Sequence, residues 1–286
     1  FKPREYQNLI INQILDKPRT AIWAGMGMGK TSSTLTALET MYLAGESRPT
    51  LVLAPLRVCN STWPEEAHKW AHLTEIDVQP VTGDEKNRLA ALKRDVSIYA
   101  CNYQNIPWLV DHYGAHWPFG TVVADESTRL KSFRLRQGGV RAQALAKVAH
   151  KNVKRFINLT GTPAPNGLQD LWGQTWFLDA GQRLGRTYSA FTDRWFCRTA
   201  DGFGRELRSQ SAADEIYNKL RDICLTIEAR DWFDLNEPIV KEIEVEMPRS
   251  ARRLYDQLKK DLILQIEQHT ITAANAAVKT QKLLQM

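Results

Sequence analysis

The amino-acid sequence predicts an α/β fold with a mostly parallel sheet between layers of helices. Three observations predict it. Five short apolar runs, Thr20–Ala24, Leu51–Ala54, Ser97–Ala100, Thr121–Ala124 and Phe156–Leu159, punctuate residues 20–159. The runs are apolar at nearly every position instead of alternating, the pattern of strands buried on both faces. Stretches of helical periodicity separate them, which supplies the crossovers a parallel sheet needs.

The first run leads straight into Gly25-Met26-Gly27-Met28-Gly29-Lys30-Thr31 and a helical stretch to Leu43. Three glycines let a backbone turn tightly and aim its N–H groups at phosphate oxygens, and a helix N-terminus adds its positive dipole end. Gly27, Met28, Gly29, Lys30, Thr31 and Ser32 are therefore expected around a nucleotide's phosphates, with Lys30 on the β/γ-phosphates and the Thr31 hydroxyl on Mg²⁺. The second run ends at Pro55, and Ser61-Thr62-Trp63-Pro64-Glu65-Glu66 beyond it has the capping residue, early Pro and acids of a helix start. The fourth run ends in adjacent carboxylates, Asp125 and Glu126. Metal-assisted hydrolysis needs one acid to hold Mg²⁺ and one to orient and deprotonate water, roles expected of Asp125 and Glu126 respectively. The fifth run closes on Gly161-Thr162-Pro163, which reads locally as a turn.

Past Leu178 the texture changes. Gly181–Ser209 is rich in Arg and aromatics, with Gly202 and Gly204 in an expected turn, and reads as an insertion covering about 181–222. Ile239–Met247 alternates like a half-exposed strand, and Arg252–His269 is an amphipathic helix with Leu254, Leu258, Leu262 and Ile266 in register. The expected organisation is one lobe over 1–248 and helices over 249–286. The chain begins without Met and stops inside a helical pattern, so a longer natural protein is expected.

Composition narrows the function. With 286 residues, 43% hydrophobic and 24% charged, the chain can bury a core and is not a disordered one. No run reaches the ~18 apolar residues of a membrane span, and the N-terminus lacks a signal core, so a cytoplasmic (nucleoid-associated) or nuclear protein is expected, not a secreted one. Cys59, Cys101, Cys197 and Cys224 form no CxxC pair and are expected as free thiols. His68/His72 and His112/His116 are spaced for one helix face but lack further ligands, so packing histidines are expected. Of the net charge of +6, more than all is local: residues 126–155 hold nine basic side chains and one acid. That segment reads as a polyanion-binding surface, or in part as cations that neutralise acids elsewhere in the fold.

The order of motifs resembles a Swi/Snf-type motor of helicase superfamily two. Arg4 with Tyr6-Gln7 resembles its adenine-reading element, residues 24–31 its AxxGxGKT loop, and Leu51–Pro55 with Trp63, Glu65-Glu66 and Trp70 its next motif. Asp125–Ser132 resembles the DEAH-type box with "RxKN", and Leu159–Asn166 is close to "LTGTPxxN". Ser127-Thr128 depart from the usual Ala-His. The resemblance implies a RecA-like lobe that binds and hydrolyses ATP with Mg²⁺, through Lys30 and Glu126 as catalytic residues, Arg4 and Gln7 at the base, and Gly161 and Thr162 linking nucleotide state to DNA. It implies double-stranded DNA as partner, and a second RecA-like lobe, whose motifs and arginine finger are absent here. The candidate DNA contacts are Arg57, equally readable as a solvated loop arginine, and Lys131, Arg134 and Arg136. Trp172, Trp176 and Phe177 fall at helical spacing and are expected in the core. A strand-separating DNA or RNA helicase, or a nucleotide-gated DNA-binding module without turnover, are the alternative functions.

Overall fold

The structure is a computed structural model that describes residues 2–199, 204–233, 246–267, 280, 281 and 284, without the side chains of 262–267. It divides into two compact units, Phe1–Leu235 and Asn236–Met286. In the first, strands and helices alternate: α1 (Glu5–Asp16), β1 (Arg19–Ala24), α2 (Lys30–Leu43), β2 (Thr50–Ala54), α3 (Trp63–Lys69), β3 (Val78–Val81), α4 (Glu85–Leu92), β4 (Ile98–Asn102), α5 (Ile106–Tyr113), β5 (Thr121–Asp125), α6 (Val140–Ala149), β6 (Arg155–Thr160) and α7 (Leu171–Asp179). There follow α8 (Tyr188–Trp195), an antiparallel hairpin of β7 (Phe196–Arg198) and β8 (Arg205–Leu207), α9 (Gln210–Leu220) and β9 (Cys224–Ile227). The second unit holds α10 (Arg249–Glu267), with an Arg252–Asp256 pair at 3.4 Å.

Seven strands form one sheet in the order β3-β4-β2-β5-β6-β1-β9, with every pairing parallel. All five apolar runs are strands, β4 lying slightly later than expected. Because the strands are short and covered on both sides, one face packs Ile22, Val52, Ile98, Val123 and Ile157 against α1, α2 and α3. The other packs Leu53, Val122 and Phe156 against α5, α6 and α7, with Trp172 and Phe177 fully inside and Trp176 at its margin, as expected of those rings. No helix of the described residues is long and apolar enough to cross a membrane.

Two strands of the seven-stranded sheet have no counterpart in the apolar runs. β3 contains Gln79 and Pro80, which an edge strand with a single neighbour tolerates, since one side needs no ladder donor. β9 is four residues long with Thr226 in it, and gets its strand character from pairing with β1, not from its own composition. Neither histidine pair lies on one helix: α3 ends before His72 and α5 before His116. His68 instead meets its own helix at Pro64 O, and His72 meets Thr36 Oγ1. All four cysteines are free, with Cys59 and Cys101 buried; burial pushes the Cys59 thiol up to about 12. Gly204 exchanges hydrogen bonds with Thr199, and Gly202 lies outside the described residues. So do residues 239–245 of the expected Ile239–Met247 strand and His269 of the expected helix.

The sheet is tied at its N-terminal end by arginines. Arg19 at the start of β1 donates to the carbonyls of Phe177 at 2.8 Å, Ala149 at 2.7 Å and Val153 at 2.6 Å, joining α7, α6 and the approach to β6. Burial lowers its pKa, yet guanidinium stays charged at any relevant pH. Arg19→Met strips three carbonyls of their charged donor and should destabilise the fold by about 2–5 kcal/mol. In thermal denaturation that is a fall of about 5–15 °C; a fall under about 2 °C would show that water replaces the arginine without cost.

Candidate active site

Three parallel strands deliver the site. β1, β5 and β6 end at the same level, so the loop after Ala24, the acids after Ala124 and the turn after Thr160 become neighbours. The loop's backbone is left-handed at Gly27 (φ 77°) and Gly29 (φ 70°), and a side chain at Gly29 would have its Cβ 2.2 Å from Gln7 Nε2. Gln7 is held there at the start of α1, where Arg4 N donates to Gln7 Oε1 at 2.9 Å and Gln7 N donates to Arg4 O at 2.9 Å. The Arg4 guanidinium lies 5.0 Å over the Phe233 ring, and Tyr6 packs on Trp232 and Phe233. Met28 is buried, its side chain part of the core cluster on the α1–α2 side of the sheet, and so anchors the loop. Ser32 Oγ turns back to Gly29 O at 3.1 Å, while Thr31 stands half-buried in the first turn of α2.

Lys30 Nζ donates to Ala24 O at 2.7 Å and Gly25 O at 2.9 Å. Burial lowers its pKa, and the charges of Asp125 and Glu126 oppose that shift. Asp125 is half-buried at the end of β5, where desolvation raises its pKa; the Trp63 indole, donating to Oδ2 at 3.0 Å, pulls it back, Glu126 adds to the rise and Lys30 opposes it. Glu126 is in the left-handed region (φ 57°, ψ 55°), a conformation that costs a non-glycine residue about 1–3 kcal/mol. Thr160 Oγ1 donates to Glu126 Oε2 at 3.5 Å and accepts from Thr162 N at 3.2 Å. Gly161 sits against the loop: a Cβ there would be 3.4 Å from Ala24 O. An open cleft of 470 Å³ beside it is bordered by Trp23, Gly25, Gly161, Pro163 and Tyr217.

The loop, Gln7, the two acids and the Gly161-Thr162 turn are thus one constellation. Among the described residues no three His, Cys, Asp or Glu side chains cluster as a metal cage. One carboxylate and one hydroxyl, Asp125 and Thr31, would make a sparse oxygen set of the kind that suits Mg²⁺ when phosphates and water complete its shell. Trp63 and Tyr103, whose hydroxyl donates to Asp125 O at 2.9 Å, support the acid from behind. Spacing gives no sign of their roles, or of those of Thr160 and Phe233; an indole that donates to a carboxylate, or a phenol that donates to the same residue's main-chain carbonyl, becomes visible only when strand order is known.

A family model for the SNF2-related domain matches residues 19–286. The chain belongs to the SNF2-related domain family. Putative protein p41 of Acyrthosiphon pisum secondary endosymbiont phage 1 is 57% identical over 291 residues, covering 100% of this chain and 63% of p41. Helicase SWR1 of Yarrowia lipolytica is 26% identical over 255 residues, covering 82% of this chain and 13% of that protein. The Sulfolobus solfataricus SWI2/SNF2 ATPase core, solved in complex with dsDNA, superposes with a TM-score of 0.63 at 22% identity, over 100% of this chain and 58% of that one. The chain therefore spans less than two thirds of each, and its fold is the RecA-like α/β lobe of an SNF2-family ATPase/helicase core.

On this SNF2-related lobe the basic segment is not one surface. The parallel register of β5 and β6 sets Arg155 opposite Thr121 and Leu159 opposite Asp125, so Lys151–Arg155 lie at the end of the sheet away from the acids. Arg155 donates to Ile14 O and Leu15 O. At the near end Lys131 pairs with Asp170 at 3.1 Å, and Arg134 stacks 3.4 Å over Tyr188 while donating to Lys131 O and Phe133 O. Arg57 and Arg136 are exposed. The single patch inferred from sequence proximity is divided because α6 carries the chain from one end of the sheet to the other.

Asp125 gives this site a pH signature. Its folded pKa is raised, so its protonated form favours folding at pH below the ordinary aspartate value and that contribution is lost as pH rises through the raised pKa. Asp125→Asn keeps an oxygen for Trp63 and should melt higher than wild type at pH 7, with the difference closing below about pH 4. Equal melting temperatures at pH 7 would show that Lys30 already compensates the carboxylate in full.

Proposed function

We propose that the chain is the ATP-binding lobe of a motor that moves along double-stranded DNA. One observation carries the reading: a half-buried Lys30 and the Asp125-Glu126 pair converge on a left-handed glycine loop at the head of a helix. The backbone N–H groups around Gly27–Thr31 and the dipole of α2 receive the phosphates. Lys30 exchanges the carbonyls of Ala24 and Gly25 for β/γ-phosphate oxygens. Gln7, against the loop, and Arg4 stand at the base end. Glu126 orients the attacking water and takes its proton. Thr31 and Asp125 would hold Mg²⁺, which when bound neutralises charge on the phosphates. Thr160 ties Glu126 to Thr162, so the Gly161-Thr162 turn can sense whether the γ-phosphate is present. An arginine from a second RecA-like lobe completes the reaction.

The DNA half of the reading is supported by the Sulfolobus core, whose solved complex contains dsDNA. Arg57 and Arg136 are the exposed cations of the candidate set, and phosphate contacts from them would bind duplex without regard to sequence. Such a partner places the protein in a nucleoid or nucleus.

Lys30→Ala should weaken ATP binding by about 30-fold or more, because it removes a charged partner from a partly buried phosphate. Glu126→Gln should leave ATP affinity intact and cut turnover by about 10²–10⁴; wild-type hydrolysis by that variant would remove Glu126 from the mechanism. For DNA, Arg57→Ala and Arg136→Ala should each flatten the slope of log affinity against log salt by about one. Unchanged slopes in both would move the DNA path away from these residues.

A further inference from the structure

Beyond the loop and the two acids, a buried polar chain runs through the lobe that neither binds nor cleaves a nucleotide. Ser127 is fully buried directly after Glu126, and its hydroxyl donates to Gln174 Oε1 at 2.8 Å. Gln174 lies in the middle of α7 and is 4% exposed. Its Nε2 donates to the Pro163 carbonyl at 2.7 Å and to the Asp170 carbonyl at 3.0 Å. Its main-chain carbonyl accepts from Asn158 Nδ2 of β6 at 3.1 Å. A glutamine inside an apolar helix face is costly unless its amide is satisfied. Here the oxygen and both N–H groups have partners, one of them the hydroxyl at a position where the resembled DEAH-type box has alanine. Alanine could not donate, and Gln174 Oε1 would be buried unpaired, so Ser127 and Gln174 make physical sense together.

The backbone is shaped for this contact. Gly173 has no side chain to hold α7 away: a Cβ there would lie 2.5 Å from the Lys131 carbonyl and 2.7 Å from that of Leu130. α7 therefore rests directly on the turn that carries Ser127. The two ends of the chain of bonds are informative. Ser127 follows the proposed general base, and Pro163 follows Gly161 and Thr162.

We propose that Gln174 is a positioning residue that clamps the Gly161–Asn166 loop to the Glu126 turn through Ser127, so that movement of the loop on DNA is transmitted to the base. This rests on the ATPase reading above. It adds a connection that does not pass through Thr160 and that enters from α7, outside the nucleotide-binding motifs.

The test uses the full-length protein with Ser127→Ala, Gln174→Leu and the double variant S127A/Q174L. Three quantities are read: affinity for a fluorescent ATP analogue, the ratio of ATP turnover with and without duplex DNA, and hydrogen exchange of the amides in residues 161–167. Nucleotide affinity should not change in any variant. The stimulation ratio should fall by about 2- to 30-fold, the range for residues that carry coupling, and exchange in 161–167 should quicken by a similar factor. The double variant removes both members of the Ser127–Gln174 bond but leaves the Pro163 and Asp170 carbonyls without the amide donor, so it should melt no lower than Gln174→Leu alone; loss of stimulation with nucleotide affinity kept separates positioning from a folding defect. If the double variant keeps the wild-type ratio and the wild-type protection of 161–167, the clamp is refuted while the motor reading stands. If wild type itself neither binds nor hydrolyses ATP, both fall together.

Discussion

A half-buried ammonium held by two main-chain carbonyls, within the field of two carboxylates, sets the terms for everything around it. Lys30 cannot leave Ala24 O and Gly25 O without a better acceptor. Asp125 cannot be comfortably charged at its depth without Lys30 and the Trp63 indole. The three groups meet only because β1 and β5, separated in the sheet by β6 alone, run parallel and end level. Had β5 run the other way, the acids would lie at the far end of the sheet beside Arg155; had β1 done so, the loop would. Parallel topology is therefore the precondition of the proposed chemistry, and the crossover helices that enforce it are part of the site in an energetic sense.

Glu126 shows where stability is given up. Its left-handed backbone is a conformation that glycine or asparagine would adopt more readily. It persists because its surroundings over-determine it: Tyr103 bonds the Asp125 carbonyl before it, Ser127 is pinned after it, and Thr160 reaches its carboxylate. The strained turn swings the Glu126 side chain off the line of β5 and toward β6, which is what lets a strand-end pair of acids take two different positions in place of two successive ones on opposite faces.

Much of this was legible in the sequence, for identifiable reasons. Glycine spacing, the run of unbroken apolar strands and the Asp-Glu pair are local signals, and each encodes a backbone conformation or a burial state that does not depend on distant residues. β9 and β3 were illegible because their strand character is conferred by a neighbour. The supporting shell of Trp63, Tyr103 and Gln174 was illegible for a different reason: each pairs with a residue between 22 and 62 positions away in the chain, and no local pattern specifies such a partner. The basic segment failed in a third way. Nine cations close in sequence are close in space only if the chain does not cross the sheet between them, and α6 makes it cross.

The cations left at the site end follow a division of labour. Lys131 does not face solvent freely; its partner Asp170 also accepts from Asn166 N at 3.0 Å, so the pair fastens the far side of the 161–166 loop. Arg134 is flattened on Tyr188 and hydrogen-bonded to two carbonyls of its own turn, an arrangement that uses the guanidinium's planar face and its fork at once and that lysine could not reproduce. Charge in this region therefore does structural work next to the acids and leaves Arg136, two residues further on, exposed. The Gly161–Asn166 loop is thereby held on one side by a charged pair and on the other by the neutral Gln174 amide. Salt screens the first far more than the second. As salt rises, a loop held in this way should loosen from its Asp170 side before its Pro163 side.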